Sequence, residues 1–338
     1  MDLITSYKIA RSCDEIFSEE LTEEQFNQMD KKDKFIYEEK GNRVSYINQN
    51  LSLSNGCSIF SKSDNVELLF KNINSYSDVN NLILVTSQDD VNIDKTLFKK
   101  LPSNFKKWYS INVNFISEKL ISIPLGLANN YEKNLSVENY ENFDYKGNYY
   151  KSKKNLLYIN FNINTNKSER SNIYEHYSKA EWVKFTKPDS NLDKYIDNLK
   201  NSNFVFCPPG NGIDTHRLWE TLYAGSIPIV KKNINNLFYE NLPIFLYENL
   251  NDVNKESLKN FLLKDKEYDL NQLEINFWRN IFIKREKKND GEITTLLFSE
   301  NSLSMYKTLY KMKNIMNHYI KIMKFRINQV INLFLKKD

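Results

Sequence analysis

Glycine and proline are scarce in this chain, 8 and 7 among 338 residues, yet three of each fall between Asn203 and Val230. They are Gly210, Gly212 and Gly225 with Pro208, Pro209 and Pro228. Glycine frees the backbone and proline restricts it, so their crowding marks a segment whose path is tightly specified. Phe204 to Cys207 has the length and composition of a buried parallel strand. The two prolines end it, because they have no N–H to give a sheet ladder. Asp214 is placed to cap a helix, Gly225 sits where a left-handed residue closes one, and Ile227 to Val230 is the next strand. The segment predicts strand, tight loop, helix, strand.

At about 100° per residue, Leu218, Trp219, Leu222 and Tyr223 share one face of that helix, and His216, Arg217, Glu220 and Thr221 share the other. In an open α/β sheet, ligands bind beyond the carboxyl ends of the strands, where helix N-termini attract anions. The Gly210-Asn211-Gly212 loop, Asp214, His216 and Arg217 therefore point to a phosphate site. Glu220, one turn on, can accept from sugar hydroxyls. A plain βαβ unit with a solvated polar helix face fits the helix as well, but leaves the Pro-Pro-Gly-Asn-Gly loop unexplained.

The run Gly-Asn-Gly-Ile-Asp-Thr-His-Arg, with Trp-Glu and then Ala-Gly-Ser-Ile-Pro-Ile-Val, resembles the nucleotide-sugar half of exostosin-like glycosyltransferases. More broadly it is similar to the C-terminal domain of the two-Rossmann (GT-B) transferases. The resemblance implies an α/β fold of two Rossmann-like domains facing a cleft. It also implies transfer of a sugar from a nucleotide-sugar donor to a glycan or lipid-linked glycan, in bacterial-type surface polysaccharide synthesis. Glu220, five residues before Gly225, takes the place of the residue that holds the donor ribose, with one extra residue before Pro228. A fucosyltransferase-like enzyme is the second reading, but Gly-Asn-Gly and Thr-His-Arg stand here where those enzymes carry Asn-Ser and Thr-Glu-Lys. A non-catalytic glycan- or nucleotide-binding module is the competing class, against which the intact Arg217 and Glu220 argue, and a membrane-scaffold role resting on the tail alone is third.

A length of 338 residues suits two domains, and a hydrophobic content of 41% suits a globular protein. The net charge of +4 is too mild to argue for nucleic acid. Cys13, Cys57 and Cys207 are scattered, which fits a reducing compartment. The three histidines stand apart from one another and from cysteine, so no metal pattern emerges. No Asp-x-Asp is present to clamp a metal-bound diphosphate. A metal-independent reaction without a cofactor is expected, with Arg217, the loop N–H groups and the helix dipole meeting the leaving charge. Neither a signal-peptide pattern nor an apolar run of membrane-spanning length occurs, so a cytoplasmic protein, peripheral on the inner face of the membrane, is expected.

Along the chain, residues 1 to about 55 read as charged and irregular and without site chemistry. They include a helix capped by Thr22 and a hairpin turn at Gly41-Asn42. From about 55 to 130, strands and helices alternate: a helix over 65–73, a strand over 82–86, and strands over 108–113 and 121–124. Asp89 and Asp90 follow the 82–86 strand and are candidates for the catalytic base, or a solvated turn. The Ile-Pro-Leu-Gly-Leu segment ending at Leu127 resembles the Pro-x-Gly loop that closes this domain toward the cleft in exostosin-like enzymes. Residues 131–154 read as a linker, which divides the chain into domains 1–150 and 151–295 and a tail 296–338. The second domain opens with a strand over 155–161 and an Asn-rich turn from Asn162 to Arg170. In the exostosin-like pattern these two residues belong to the donor site, with Arg170 pairing with the diphosphate. On its own, Arg170 also reads as a helix-surface residue. The tail carries apolar residues at helical spacing from Met305 to Phe334, with lysines over much of the remainder. It reads as an amphipathic helix that packs back over 295–315 and reaches a membrane surface or partner over 316–338.

Overall fold

The computed structural model describes residues 3–128, 140, 149, 152–188, 191–264, 266–283 and 293–334. The expected linker over 131–154 lies almost wholly outside these residues. The chain builds two separate five-stranded sheets, each wholly parallel. The first runs in the order Glu15–Ile16, Ser58–Lys62, Leu82–Ser87, Phe105–Ser110, Leu120–Ser122. The second runs Val183–Phe185, Asn155–Ile159, Ser202–Phe206, Ile227–Lys231, Phe245–Tyr247. Their apolar runs are continuous rather than alternating because helices cover parallel sheets on both faces.

In the second sheet, the strand Asn155–Ile159 connects outward to Val183–Phe185, whereas its other neighbour, Ser202–Phe206, connects the opposite way. The crevice between these two central strands is thus a topological switch point, where loops diverge and leave room for a ligand. The helix His216–Tyr223 buries Leu218, Trp219, Leu222 and Tyr223 in the core of this sheet, as the periodicity requires. Gly225 ends it with φ 65°, the left-handed conformation expected there. The N-cap is Thr215 rather than Asp214, and its side chain caps no N–H of the helix. Asp214 is drawn into the core instead, where it serves as an acceptor for three different groups, described below.

Three further expectations are corrected. Residues 3–55 build regular structure: Ser18–Thr22, Arg43–Asn48 and Lys34–Lys40 form an antiparallel sheet turned at Gly41, and Thr22 makes a reciprocal capping box with Gln25. Charged residues taken inside these strands hide the alternation: Glu19 is buried against Arg11, and Glu20 pairs with Arg43 and Lys62. The strand expected over 108–113 spans Phe105–Ser110, because Asn112 takes a left-handed backbone (φ 54°) and breaks the ladder. The chain after 293 begins as a strand, Thr294–Leu297, paired antiparallel with Asn50–Leu53. Only then does the long helix Glu300–Phe334 start, with Leu303 fully buried against the first sheet's core and Tyr306 and Tyr310 edge-on to Tyr37. The packing expected over 295–315 is therefore seen over 294–310.

Candidate active site

The loop from Cys207 to Thr215 leaves the carboxyl end of Ser202–Phe206 and is held from the neighbouring strand's side by Arg170. The Arg170 Nε donates to Pro209 O at 3.0 Å, Nη2 to Pro208 O at 3.3 Å, and Nη1 to Asn162 O at 2.7 Å. Arg170 sits on the helix Lys167–Tyr177, so it ties together the two loops that flank the switch point. It is buried, which excludes the helix-surface reading, and three of its five N–H groups serve the scaffold. Burial and the nearby Arg217 lower its pKa. Gly210 lies against it: a Cβ there would stand 3.2 Å from Arg170 Nη2. The Asn162 side chain accepts from Asn164 N at 3.0 Å and begins the short turn Ile163–Thr165, so it too shapes the loop.

The polar face of the His216–Tyr223 helix is not solvated. Glu220 and Thr221 are buried, and Thr221 Oγ1 donates to Arg217 O at 2.7 Å. The Tyr195 hydroxyl donates to Glu220 Oε2 at 2.6 Å, while the Arg217 guanidinium lies 5.1 Å from the Tyr195 ring centre. Burial opposes the charge on Arg217, but Tyr195 and Glu220 outweigh it and raise its pKa. Its Nη1 is buried and, among the described residues, has no hydrogen-bond partner. A fixed guanidinium with an unused donor is a receptor for an oxyanion. Tyr195 also lines a cavity of about 210 Å³ at the carboxyl ends of Asn155–Ile159 and Val183–Phe185, with Tyr158, Asn160, Thr186 and Lys194. Sequence reasoning missed Tyr195 because it lies in a short helix, Leu192–Lys200, with no motif of its own.

A second set of contacts joins this loop to the first sheet. Asp214 is buried and accepts from Leu125 N at 3.0 Å, Thr215 N at 2.8 Å and Trp219 Nε1 at 3.0 Å. Burial raises its pKa to about 7 against these hydrogen bonds. His216 Nδ1 lies 2.8 Å from Gly126 O. A carbonyl can only accept, so Nδ1 carries a proton and donates it to Gly126 O. Gly126 has φ 72°, and any side chain there would run into Ile4 O, which explains the glycine of the Pro-Leu-Gly loop. Asn112 completes the junction. Its Oδ1 accepts from Asp214 N at 2.9 Å, and a Cβ on Gly212 would stand 3.0 Å from its amide.

Residues 129–335 match the family model of the RXYLT1 C-terminal domain. The chain belongs to that family. It is an exostosin-related family of glycosyltransferases. No curated protein shows a significant match to the chain. The part shared with the RXYLT1 family holds the whole second sheet, Arg170, Arg217, Glu220 and the helix Glu300–Phe334. Among the described residues, no helix is long and apolar enough to cross a membrane.

Asp89 and Asp90 precede the segment shared with the RXYLT1 family. Asp89 accepts from Asp64 N at 2.9 Å through Oδ2 and from Val91 N at 2.8 Å through Oδ1. Burial, reinforced by Asp64, raises its pKa to about 7, with the Val91 bond and Lys62 acting against it. Lys62 is itself buried, 3.5 Å from Glu20 and 4.0 Å from Asp64. Beside them Ser63 Oγ, Ser87 Oγ and Asp64 Oδ1 are buried without a partner among the described residues. Asp89 is thus part of a built polar cluster and not a solvated turn, whereas Asp90 is exposed. Asn112 Nδ2 donates to Asp89 O at 3.3 Å, so one side chain joins the Asp89 turn to the Asp214 loop.

Proposed function

We propose that the chain transfers a sugar from a nucleoside-diphosphate sugar to a glycan or lipid-linked glycan, using two Rossmann-like units that face each other across the Asn112–Asp214 junction. The observation that carries this reading is the buried Nη1 of Arg217, without a partner among the described residues, beside Glu220 and Tyr195 at the switch point. In this reading the donor diphosphate lies over the Gly210–Gly212 loop and accepts from Arg217 and from N–H groups at the start of the His216–Tyr223 helix. Arg170 supports it by fixing the Pro208-Pro209 carbonyls, with its two remaining N–H groups available to the ligand. Tyr195 holds one oxygen of Glu220, and the other receives a ribose hydroxyl. The cavity beside Tyr195 takes the nucleobase.

Glycosyl transfer proceeds through an oxocarbenium-like state in which the leaving diphosphate gains charge. A preorganised guanidinium and fixed dipoles stabilise that charge in a water-poor crevice, without requiring a divalent cation. Asp89, with a pKa near neutrality, suits a general base for the acceptor hydroxyl, and Asp90 is the alternative on the same turn. Asp214 acts on the loop and not on the donor, since its oxygens already receive three protein donors. Nucleoside-diphosphate xylose is the first donor to test, because the family comprises xylosyltransferases. A bacterial-type surface polysaccharide made at the cytoplasmic face is the setting proposed for the acceptor.

The test is release of free nucleoside diphosphate from a panel of nucleotide sugars, with and without chelator. The reading expects release from at least one donor, unchanged by chelation. Binding of a nucleotide sugar with no release in the presence of any glycan acceptor would instead favour a non-catalytic binding module.

A further inference from the structure

The helix Glu300–Phe334 has 35 residues and about 52 Å of length. Its first three turns are anchored. Leu303 is buried, Lys307 Nζ donates to Ile36 O at 2.9 Å, and the Tyr310 hydroxyl donates to Glu38 at 3.0 Å. From Lys311 to Asn317 every residue is exposed. Met305, Leu309, Met312, Met316, Tyr319, Met323 and Ile327 are each more than half exposed. At about 100° per residue these seven fall within roughly 80° of one another, a single apolar stripe. An isolated exposed leucine needs no explanation, but a stripe this long does.

Charge identifies what covers it. Between Asn301 and Lys337 the sequence holds eight lysines and arginines and not one aspartate or glutamate. A second copy of this helix would bring the same cations and no carboxylate to pair with them, so self-association along the stripe is opposed by like charge. An anionic surface meets both demands at once: acyl chains take the stripe, and headgroups take the cations. We propose that the exposed apolar stripe of this helix lies in the plane of an anionic lipid surface and holds the enzyme there. This does not depend on the sugar-transfer reading.

The experiment uses the full chain in cosedimentation with vesicles of phosphatidylcholine alone or mixed with phosphatidylglycerol. Binding is expected only to the mixed vesicles and is expected to weaken with salt. Lys311→Gln with Lys313→Gln should weaken partitioning by roughly fivefold for each charge removed. Met316→Glu with Met323→Glu should abolish it, with circular dichroism unchanged because both side chains are exposed. Equal sedimentation with neutral and anionic vesicles, or none with either, overturns the proposal. So does a dimer in analytical ultracentrifugation that the methionine substitutions dissociate while vesicle binding stays at zero.

Discussion

The Asn112 side chain accepts from the backbone of Asp214 at 2.9 Å and donates to the backbone of Asp89 at 3.3 Å. One residue thereby sets the spacing between the turn that carries the candidate base and the loop that precedes Arg217. Asn112 can do this because it adopts φ 54°, a conformation asparagine tolerates better than most residues. Replacing it with glycine keeps the backbone and removes both bonds. Asn112→Gly should cost about 1–2 kcal/mol of stability, a buried hydrogen-bond loss in size. It should also lower turnover more than nucleotide affinity, since the distance between base and donor is what changes. Chemical denaturation and steady-state kinetics read the two effects separately. Turnover equal to the parent's would show that this junction does not set the reacting geometry.

Tyr195 is the clearest residue by which to separate packing from recognition. Tyr195→Phe keeps the ring beside Arg217 but frees Glu220 Oε2 from its donor. Nucleoside diphosphate binding is expected to weaken by several-fold, the size of one charge-assisted hydrogen bond reduced by compensation from water. Tyr195→Ala removes the ring as well and should weaken it further. Calorimetric titration of both variants checks the order, and an unchanged affinity in Tyr195→Phe would detach Tyr195 from the site.

Much of this was legible in the sequence, and the limits of legibility are physical. The strand-loop-helix-strand around Gly210 to Pro228 was readable because glycine and proline restrict local geometry directly. The buried role of Arg170 was not, since a guanidinium clamping the Pro208 and Pro209 carbonyls is a contact across 38 and 39 residues that leaves no local pattern. Asp214 looked like a cap because its position before the helix fits one. Only the fold reveals Leu125 N and Trp219 Nε1 competing for the same carboxylate. Asn112 and Tyr195 were missed for the same reason, each lying in an ordinary-looking element. The 1–55 region was misread because Glu19 and Glu20, which look like surface charges, are taken into the fold by pairing with Arg11, Arg43 and Lys62.

Two carboxyls, the buried Asp214 and the part-buried Asp89, give the protein an uncommon pH dependence. Asp89 and Asp214 both have folded pKa values raised to about 7, above their ordinary acidic range. The folded state therefore binds these protons more tightly than the unfolded state does. Stability contributed by them is full below the ordinary carboxylate range and is lost as pH rises toward 7, by up to about 1.4 kcal/mol per pH unit for each proton. Activity should run the other way, rising through about pH 7 as Asp89 loses its proton. Urea midpoints and initial rates measured from pH 5 to 8.5 test both trends. Asp89→Asn should flatten part of the stability slope and remove turnover. A variant with full turnover and the parent's rate profile would pass the role of base to Asp90 or to another group.

The claim on which the rest depends is that Arg217 presents its Nη1, unpartnered among the described residues, to the donor diphosphate. Arg217→Ala removes that donor while leaving the Arg170 clamp and the Gly210–Gly212 loop in place. Calorimetric titration of nucleoside diphosphate into parent and variant, with circular dichroism confirming that both are folded, measures it directly. The account predicts affinity at least about tenfold weaker in the variant, as expected for loss of a charge-assisted contact. A folded Arg217→Ala protein that binds the nucleotide as tightly as the parent would contradict it and place the donor elsewhere.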